Sequence, residues 1–173
     1  MPLNKKNGIT LRARLFALFA LTWTFCQFGA AKVQASTLIP FQASYDLALE
    51  LEINNPPFGT ITSAGSMLAT HLGRTDAHSI EESVNLATGL GIATHQFTAA
   101  NGDIIFIDFR FLAVLTAANV YAVEGVWEIA GGTGHFSGAS GSGTYDGLVT
   151  FSSAETATGS FTLVGSVSSK GSR

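Results

Sequence analysis

The stretch that decides the fold is Gly131-Gly-Thr-Gly-His-Phe-Ser-Gly-Ala-Ser-Gly-Ser-Gly-Thr-Tyr145, a glycine cluster between two segments of alternating apolar and polar residues. Its glycines recur too densely for an ordinary strand interior, because glycine adds no side-chain packing and is freer in the unfolded chain. Glycine is favoured at turns, at bulges and where a strand coils sharply at a barrel corner. The cluster therefore indicates strongly bent β-structure.

The glycine cluster lacks the pattern of a nucleotide-binding loop. No Lys-Ser or Lys-Thr pair follows it, as a phosphate-binding loop requires. Within Gly132-Thr-Gly-His-Phe-Ser-Gly138, the sixth position of a dinucleotide fingerprint is Ser137, and no helical pattern follows. We therefore expect no nucleotide site and no cofactor.

Alternating segments on both sides of the cluster predict about eight strands. The first, Phe41 to Ile53, alternates almost without fault, and Asn54-Asn-Pro-Pro57 ends it because proline cannot donate to a strand ladder. The other predicted strands cover residues 59–72, 74–86, 92–100, 104–116, 120–130, 145–153 and 160–168. No segment has a convincing helical stripe, so the spacing predicts an all-β barrel or sandwich.

The glycine cluster and the strand before it resemble a known family signature. The stretch is Trp127-Glu-Ile-Ala-Gly-Gly-Thr-Gly-His-Phe-Ser-Gly-Ala-Ser-Gly141, and it resembles the Gly-Gly-Thr-Gly-x-Phe signature of the allene oxide cyclase and dirigent barrel superfamily. It is most similar to small secreted bacterial members, in which segments like Thr70-His-Leu-Gly-Arg74 and Thr98-Ala-Ala-Asn-Gly-Asp103 precede the signature. The resemblance implies a calycin-like, eight-stranded antiparallel barrel, often a homotrimer in plants, whose open end can hold an apolar ligand. The plant cyclase's catalytic residues have no matching positions here, so its reaction is not carried over.

The N-terminal residues predict a bacterial secretory signal peptide. A basic segment comes first (Lys5, Lys6, Arg12 and Arg14), residues 15–28 are largely apolar, and Val33-Gln-Ala35 offers small residues at a cleavage site. The alternative is an uncleaved membrane anchor, but polar residues interrupt a span already short for a bilayer. We expect a secreted or periplasmic protein with residues 1–35 as signal peptide, 36–168 as one barrel domain and 169–173 as a loose tail.

Cleavage after residue 35 would change the charge of the chain. It would remove five of the nine Lys and Arg residues and none of the 12 acidic residues, leaving a net charge of about −8. Such a surface repels phosphate backbones and anionic lipid headgroups, so we expect neither nucleic-acid nor membrane partners. The single cysteine, Cys26, would leave as well, so stability must come from core packing or assembly.

The Asn101-Gly102 pair predicts a hairpin turn and, with it, a candidate ligand site. A two-residue turn would pair His95 with Asp108. It would place five candidate ligand-binding residues on one face (His95, Phe97, Phe106, Asp108 and Arg110). If that face lines the barrel mouth, Asp108 orients His95 and Arg110 engages a ligand carboxylate. The alternative is an outer face with a solvated charge pair, and a three-residue turn would break the pairing.

Trp127 is the sixth candidate, on a stripe shared with Tyr121, Val123 and Ile129. Such a stripe either belongs to the core or places Trp127 in the wall of a ligand cavity. The four histidines lie on separate segments, so no metal site is expected (His71, His78, His95 and His135). Glu81 and Glu82 should point to opposite faces of a strand, and no catalytic residue is assigned.

These observations predict a barrel that binds a small apolar or carboxylated molecule. One alternative is an isomerase-like, cyclase-like or dirigent-like enzyme that steers a reactive intermediate, assisted by His95, Asp108 or Arg110. The other is a structural homotrimer whose barrel is filled by side chains.

Overall fold

A computed structural model describes residues 37–168, which form eight β-strands and one short 3-10 helix. The strands are β1 (Leu38–Asn55), β2 (Phe58–Ala69), β3 (Gly73–Asn85), β4 (Leu90–Ala99), β5 (Ile104–Ala117), β6 (Val120–Gly132), β7 (Gly141–Phe151) and β8 (Thr156–Ser168). The 3-10 turn, Gly134–Phe136, connects β6 to β7. The predicted signal peptide and C-terminal tail lie outside the described residues. Within residues 37–168, no helix is long and apolar enough to cross a membrane.

The strands close into an antiparallel barrel with up-and-down topology. Each strand pairs with the next along the chain, and β8 pairs with β1 to complete the ring. Closure removes the free strand edges that an open sheet exposes. The predicted eight-stranded antiparallel barrel is therefore confirmed.

Alternation along the strands separates a buried interior from the outer surface. On β1, every second residue from Phe41 to Leu49 is buried, and the residues between them are exposed. The same pattern on the other strands fills one half of the barrel with large side chains. This packed core includes Phe41, Met67, Phe97, Ile107, Trp127 and Leu163.

The strand that leaves the glycine cluster, β7, begins at Gly141, four residues before its predicted start at Tyr145. Its glycines at positions 143 and 147 lie under aromatic rings. Gly143 on β7 pairs with Gly165 on β8. A Cβ atom at Gly143 would lie 2.8 Å from Nε1 of Trp127, and one at Gly165 would lie 2.6 Å from Cζ2 of the same indole. The indole therefore occupies the space that two side chains would otherwise fill, and Nε1–H donates to the carbonyl oxygen of Thr144 over 3.1 Å.

A second pair of glycines accommodates Phe161. A Cβ atom at Gly147 or at Gly159 would approach the Phe161 ring to 2.5 Å. These two glycines also lie on β7 and β8, but they do not pair with each other. Gly147 pairs with Phe161, and Gly159 pairs with Val149. Aromatic rings that lie over strand glycines restore the packing that glycine lacks. The glycines of β7 and β8 are thus required by the core.

Gly143→Ala is expected to lower the free energy of unfolding by about 1–3 kcal/mol, because overpacking forces the neighbouring backbone and indole to move. The added Cβ would lie 2.0 Å from the carbonyl oxygen of Val164. Gly131→Ala is the control, since a Cβ atom added at Gly131 would have no neighbouring atom within 4 Å. Urea unfolding measures both variants, and equal stability of the two would contradict the packing role of Gly143.

Candidate functional site

The turn between β4 and β5 is a three-residue loop, so the predicted register is wrong by one residue. Backbone N–H groups of Ala99 and Gly102 donate to the carbonyl oxygens of Asp103 and Ala99, both over 2.9 Å. Gly102 adopts a φ of 84°, which glycine allows without strain. The extra loop residue shifts the pairing, so that His95 faces Ile107 and Asp108 faces Thr94.

This register separates the five hairpin candidates between two faces of the sheet. His95 and Phe97 are buried inside the barrel. Phe106, Asp108 and Arg110 lie on the outer face, where the Thr94 hydroxyl donates to Asp108 over 2.7 Å. The predicted pair of His95 and Asp108 does not form, and Arg110 points away from the barrel interior.

A cavity of about 740 Å³ opens at one end of the barrel, beside the turns that follow β1, β3, β5 and β7. Its walls are mostly apolar and include Leu47, Leu49, Ile61, Val84, Phe111, Tyr121, Val123 and Val149. On six strands, the lining residues farthest from this end of the barrel form what we call the cavity floor: Tyr45, Glu82, His95, Phe109, Tyr145 and Phe161. Polar groups therefore meet at the bottom of an apolar cavity.

Glu82 reaches the cavity floor because β3 contains a bulge. The pairing of β3 with β4 shifts between Ser79 and Glu81, which leaves Ile80 as the extra residue. Before the bulge, odd-numbered residues such as Ala77 are buried, and after it even-numbered residues are buried. Glu81 consequently faces solvent and Glu82 faces the interior, in agreement with the prediction that the two point to opposite faces.

Glu82 is held by two hydrogen bonds to the same oxygen. Its Oε2 accepts from the hydroxyl of Ser63 over 3.0 Å and lies 3.1 Å from Nε2 of His95. The other ring nitrogen of His95, Nδ1, is buried and has no hydrogen-bond partner among residues 37–168. The arrangement leaves Oε1 of Glu82 as the carboxylate oxygen available to the cavity.

Two tyrosines complete the polar part of the cavity floor. The Tyr45 ring stacks on Phe161 at a centroid distance of 4.9 Å, and the Tyr145 ring contacts Phe109 edge-on at 5.0 Å. Burial raises the pKa of Tyr145 well above its ordinary value, and the nearby Glu82 adds a smaller effect in the same direction. Burial, followed by the neighbouring Tyr145 and Glu82, does the same to the pKa of Tyr45. Both phenols are therefore neutral hydrogen-bond donors.

The cavity has a carboxylate but no strongly basic side chain. Residues 37–168 contain two arginines, Arg74 and Arg110, and both are exposed on the barrel surface. Neither belongs to the cavity lining within the described part of the chain. The predicted recognition of a ligand carboxylate by Arg110 therefore has no counterpart in this cavity.

The remaining candidates, Phe97 and Trp127, belong to the packed core below the cavity floor. Phe97 is fully buried and its ring lies 5.8 Å from Tyr45. Trp127 shares the interior face with Tyr121, Val123 and Ile129, and it packs against Phe41 at 5.2 Å. Of the six candidates from the sequence, His95 is the one whose side chain lines the cavity.

The opposite end of the barrel holds a smaller recess of about 250 Å³. Beside it, Asp103 joins the β4–β5 turn to the 3-10 turn by accepting hydrogen bonds from the backbone N–H of His135 over 3.0 Å and from the Asn101 amide over 2.8 Å. The His135 ring contacts the same carboxylate. These hydrogen bonds lower the pKa of Asp103, and the one from the His135 backbone has the largest effect. The two turns are thereby tied together at this end.

Comparisons with known proteins find likenesses among solved structures. No protein-family model and no curated protein matches the chain. Among solved structures, the chain is similar to one described as the pterocarpan synthase dirigent protein, with 13% sequence identity and a TM-score of 0.41. The match covers 81% of this chain and 91% of that chain. The assignment of the barrel rests on the strand pairing within this chain itself.

Proposed function

We propose that the protein binds one small, neutral, largely apolar molecule inside the barrel, with a hydrogen-bonding group directed at Glu82. The observation that carries the proposal is the open apolar cavity of about 740 Å³ with a carboxylate at its floor. Ligand cavities of roughly 300–1,000 Å³ with apolar walls and a few polar groups are typical of small-molecule sites. The walls supply affinity, and the cavity floor selects the polar group.

The charges at the cavity floor favour a neutral ligand. An anionic ligand would be repelled by Glu82, and neither arginine of the described residues offers a compensating charge. A cation would lose its hydration among apolar walls, next to a carboxylate already bonded to Ser63 and His95. A hydroxyl or N–H group can donate to Oε1 of Glu82, and a carbonyl group can accept from Tyr45 or Tyr145.

Two dyes with the same ring system test this proposal. Phenylnaphthylamine is neutral, has one N–H group and becomes fluorescent in apolar surroundings, and anilinonaphthalenesulfonate carries an added sulfonate. We expect phenylnaphthylamine to bind with one-to-one stoichiometry in a fluorescence titration. The sulfonate should bind at least about tenfold more weakly, because it brings an anion towards Glu82.

A matched pair of tryptophan variants locates the dye. Ala113→Trp adds an indole to the cavity wall, and Ala48→Trp adds the same group to the exposed outer face of β1, between two residues of the cavity wall. Binding should be lost in Ala113→Trp and retained in Ala48→Trp, with both variants folded by circular dichroism. Equal binding by the two variants, or tighter binding of the sulfonate, would reject the proposal.

A further inference from the structure

The carboxylate at the cavity floor has the geometry of a general base. Hydrogen bonds from Ser63 and His95 converge on Oε2 of Glu82, which fixes the carboxylate and leaves Oε1 towards the cavity. Glu82 itself is buried, and the cavity around it is mostly apolar. A fixed carboxylate among apolar side chains can accept a proton from a bound molecule that fills the cavity, because little solvent must then reorganise around it.

The two tyrosines provide the complementary electrophilic groups. Tyr45 and Tyr145 line the same cavity as Glu82, and their rings are packed between Phe109 and Phe161. Buried, neutral phenols can donate hydrogen bonds to a negatively charged oxygen without prior rearrangement. A base beside fixed donors is the combination that enolisation of a ketone requires.

We propose that the cavity floor catalyses proton transfer at the carbon next to a carbonyl group, with Glu82 as the base and Tyr45 and Tyr145 as donors to the carbonyl oxygen. The inference rests on the proposed binding of a neutral ligand in this cavity. It names the substrate class as a small, apolar ketone or enone that the cavity can enclose.

The proposed step balances without any further reactant. Oε1 of Glu82 takes a proton from the carbon beside the carbonyl group, and the C–H electron pair forms a carbon–carbon double bond. The carbonyl π electrons move to oxygen, where the phenol of Tyr45 or Tyr145 donates to the resulting enolate. Return of the proton from Glu82 to the same carbon restores the ketone, and return to a conjugated carbon gives an isomer.

His95 is a positioning residue in this scheme. Its Nε2 contacts Glu82, but Nδ1 is buried and has no partner among the described residues. The ring is enclosed by Tyr45, Phe97 and Phe109, at centroid distances of 6.0, 6.1 and 5.2 Å. Because Nδ1 is shielded, His95 has no direct route for passing a proton to solvent. Its role is to hold Oε2 so that Oε1 faces the substrate.

Deuterium exchange into β-tetralone tests the proposal. This neutral ketone has exchangeable hydrogens beside its carbonyl group, and NMR follows their replacement in D₂O. We expect the protein to accelerate exchange over buffer containing an equal concentration of acetate. Glu82→Gln, which keeps the size of the side chain and one acceptor oxygen for Ser63 and His95, should lower the rate by about 10²-fold or more. Tyr45→Phe and Tyr145→Phe should each lower the rate, by up to about 10²-fold.

The controls separate this inference from the proposed binding function. Asp108→Asn removes a carboxylate from the outer face of β5 and should leave the exchange rate unchanged. Displacement of phenylnaphthylamine by β-tetralone reports binding independently of exchange. Displacement without exchange that depends on Glu82 would overturn the catalytic inference and leave the binding function standing. Failure of both dye and ketone to bind would overturn the binding function as well.

Discussion

Glu82→Ala is expected to lower the free energy of unfolding by about 2–4 kcal/mol, because it leaves two buried polar groups, the Ser63 hydroxyl and Nε2 of His95, without their shared hydrogen-bond partner. Both Ser63 and His95 direct hydrogen bonds at Oε2 of Glu82, and all three residues are buried. With Nδ1 already lacking a partner among the described residues, the His95 ring would keep no hydrogen bond there. Urea or thermal unfolding measures the effect.

The adjacent residue provides a matched control. Glu81 has the same side chain, lies on the same strand and is exposed on the outer face. Glu81→Ala should change the free energy of unfolding by no more than about 0.5 kcal/mol, as is usual for surface substitutions. Similar losses in the two variants would contradict the bulge that turns Glu82 inwards and Glu81 outwards.

Trp127→Ala is expected to lower the free energy of unfolding by about 3–5 kcal/mol, as deletion of a large buried aromatic side chain typically does. The substitution would empty the space above Gly143 and Gly165, which have no side chains to fill it. It would also remove the hydrogen bond from Nε1 to the carbonyl oxygen of Thr144. Urea unfolding of the variant and the parent protein measures the loss.

Val126→Ala is the control for Trp127, since Val126 is the preceding residue on β6 and 48% exposed on the outer face. Val126→Ala should lower the free energy of unfolding much less than Trp127→Ala, because much of the Val126 side chain already contacts water. Adding Gly143→Ala to Trp127→Ala should not restore the free energy of unfolding fully, because a methyl group fills little of the volume that the indole leaves. A mild effect of Trp127→Ala alone would show that the indole does not organise the β7–β8 glycines.

The sequence predicts the barrel well where alternation is uninterrupted. On β1, apolar residues occupy every second position from Phe41 to Leu49, so that one face can be assigned to the interior without knowing the neighbouring strands. The density of glycine from Gly131 to Gly143 indicates a backbone that requires glycine at turns and sharply coiled strands, and Gly134 and Gly138 do adopt positive φ values there. It does not reveal which ring lies over the glycines, because that depends on the pairing of β7 with β8.

The candidate site is harder to predict because single-residue shifts decide it. The loop around Asn101-Gly102 contains three residues instead of two, and this one residue moves Asp108 and Arg110 from the predicted shared face to the outside. The bulge at Ile80 likewise moves Glu82 inwards. A signal for the second shift does exist, since small or apolar residues change from odd positions at Ala77 to even positions at Val84. Apolar character alone would have assigned Ile80 to the interior.

A crystal structure of the protein with phenylnaphthylamine bound would show directly whether the barrel holds a ligand. We predict the dye inside the barrel, with its rings against the apolar cavity walls and its N–H within hydrogen-bonding distance of Oε1 of Glu82. The Glu82 and His95 side chains should retain their contact through Oε2 and Nε2. A barrel end filled by its own side chains, or a dye bound only to the outer face, would contradict the proposed binding site.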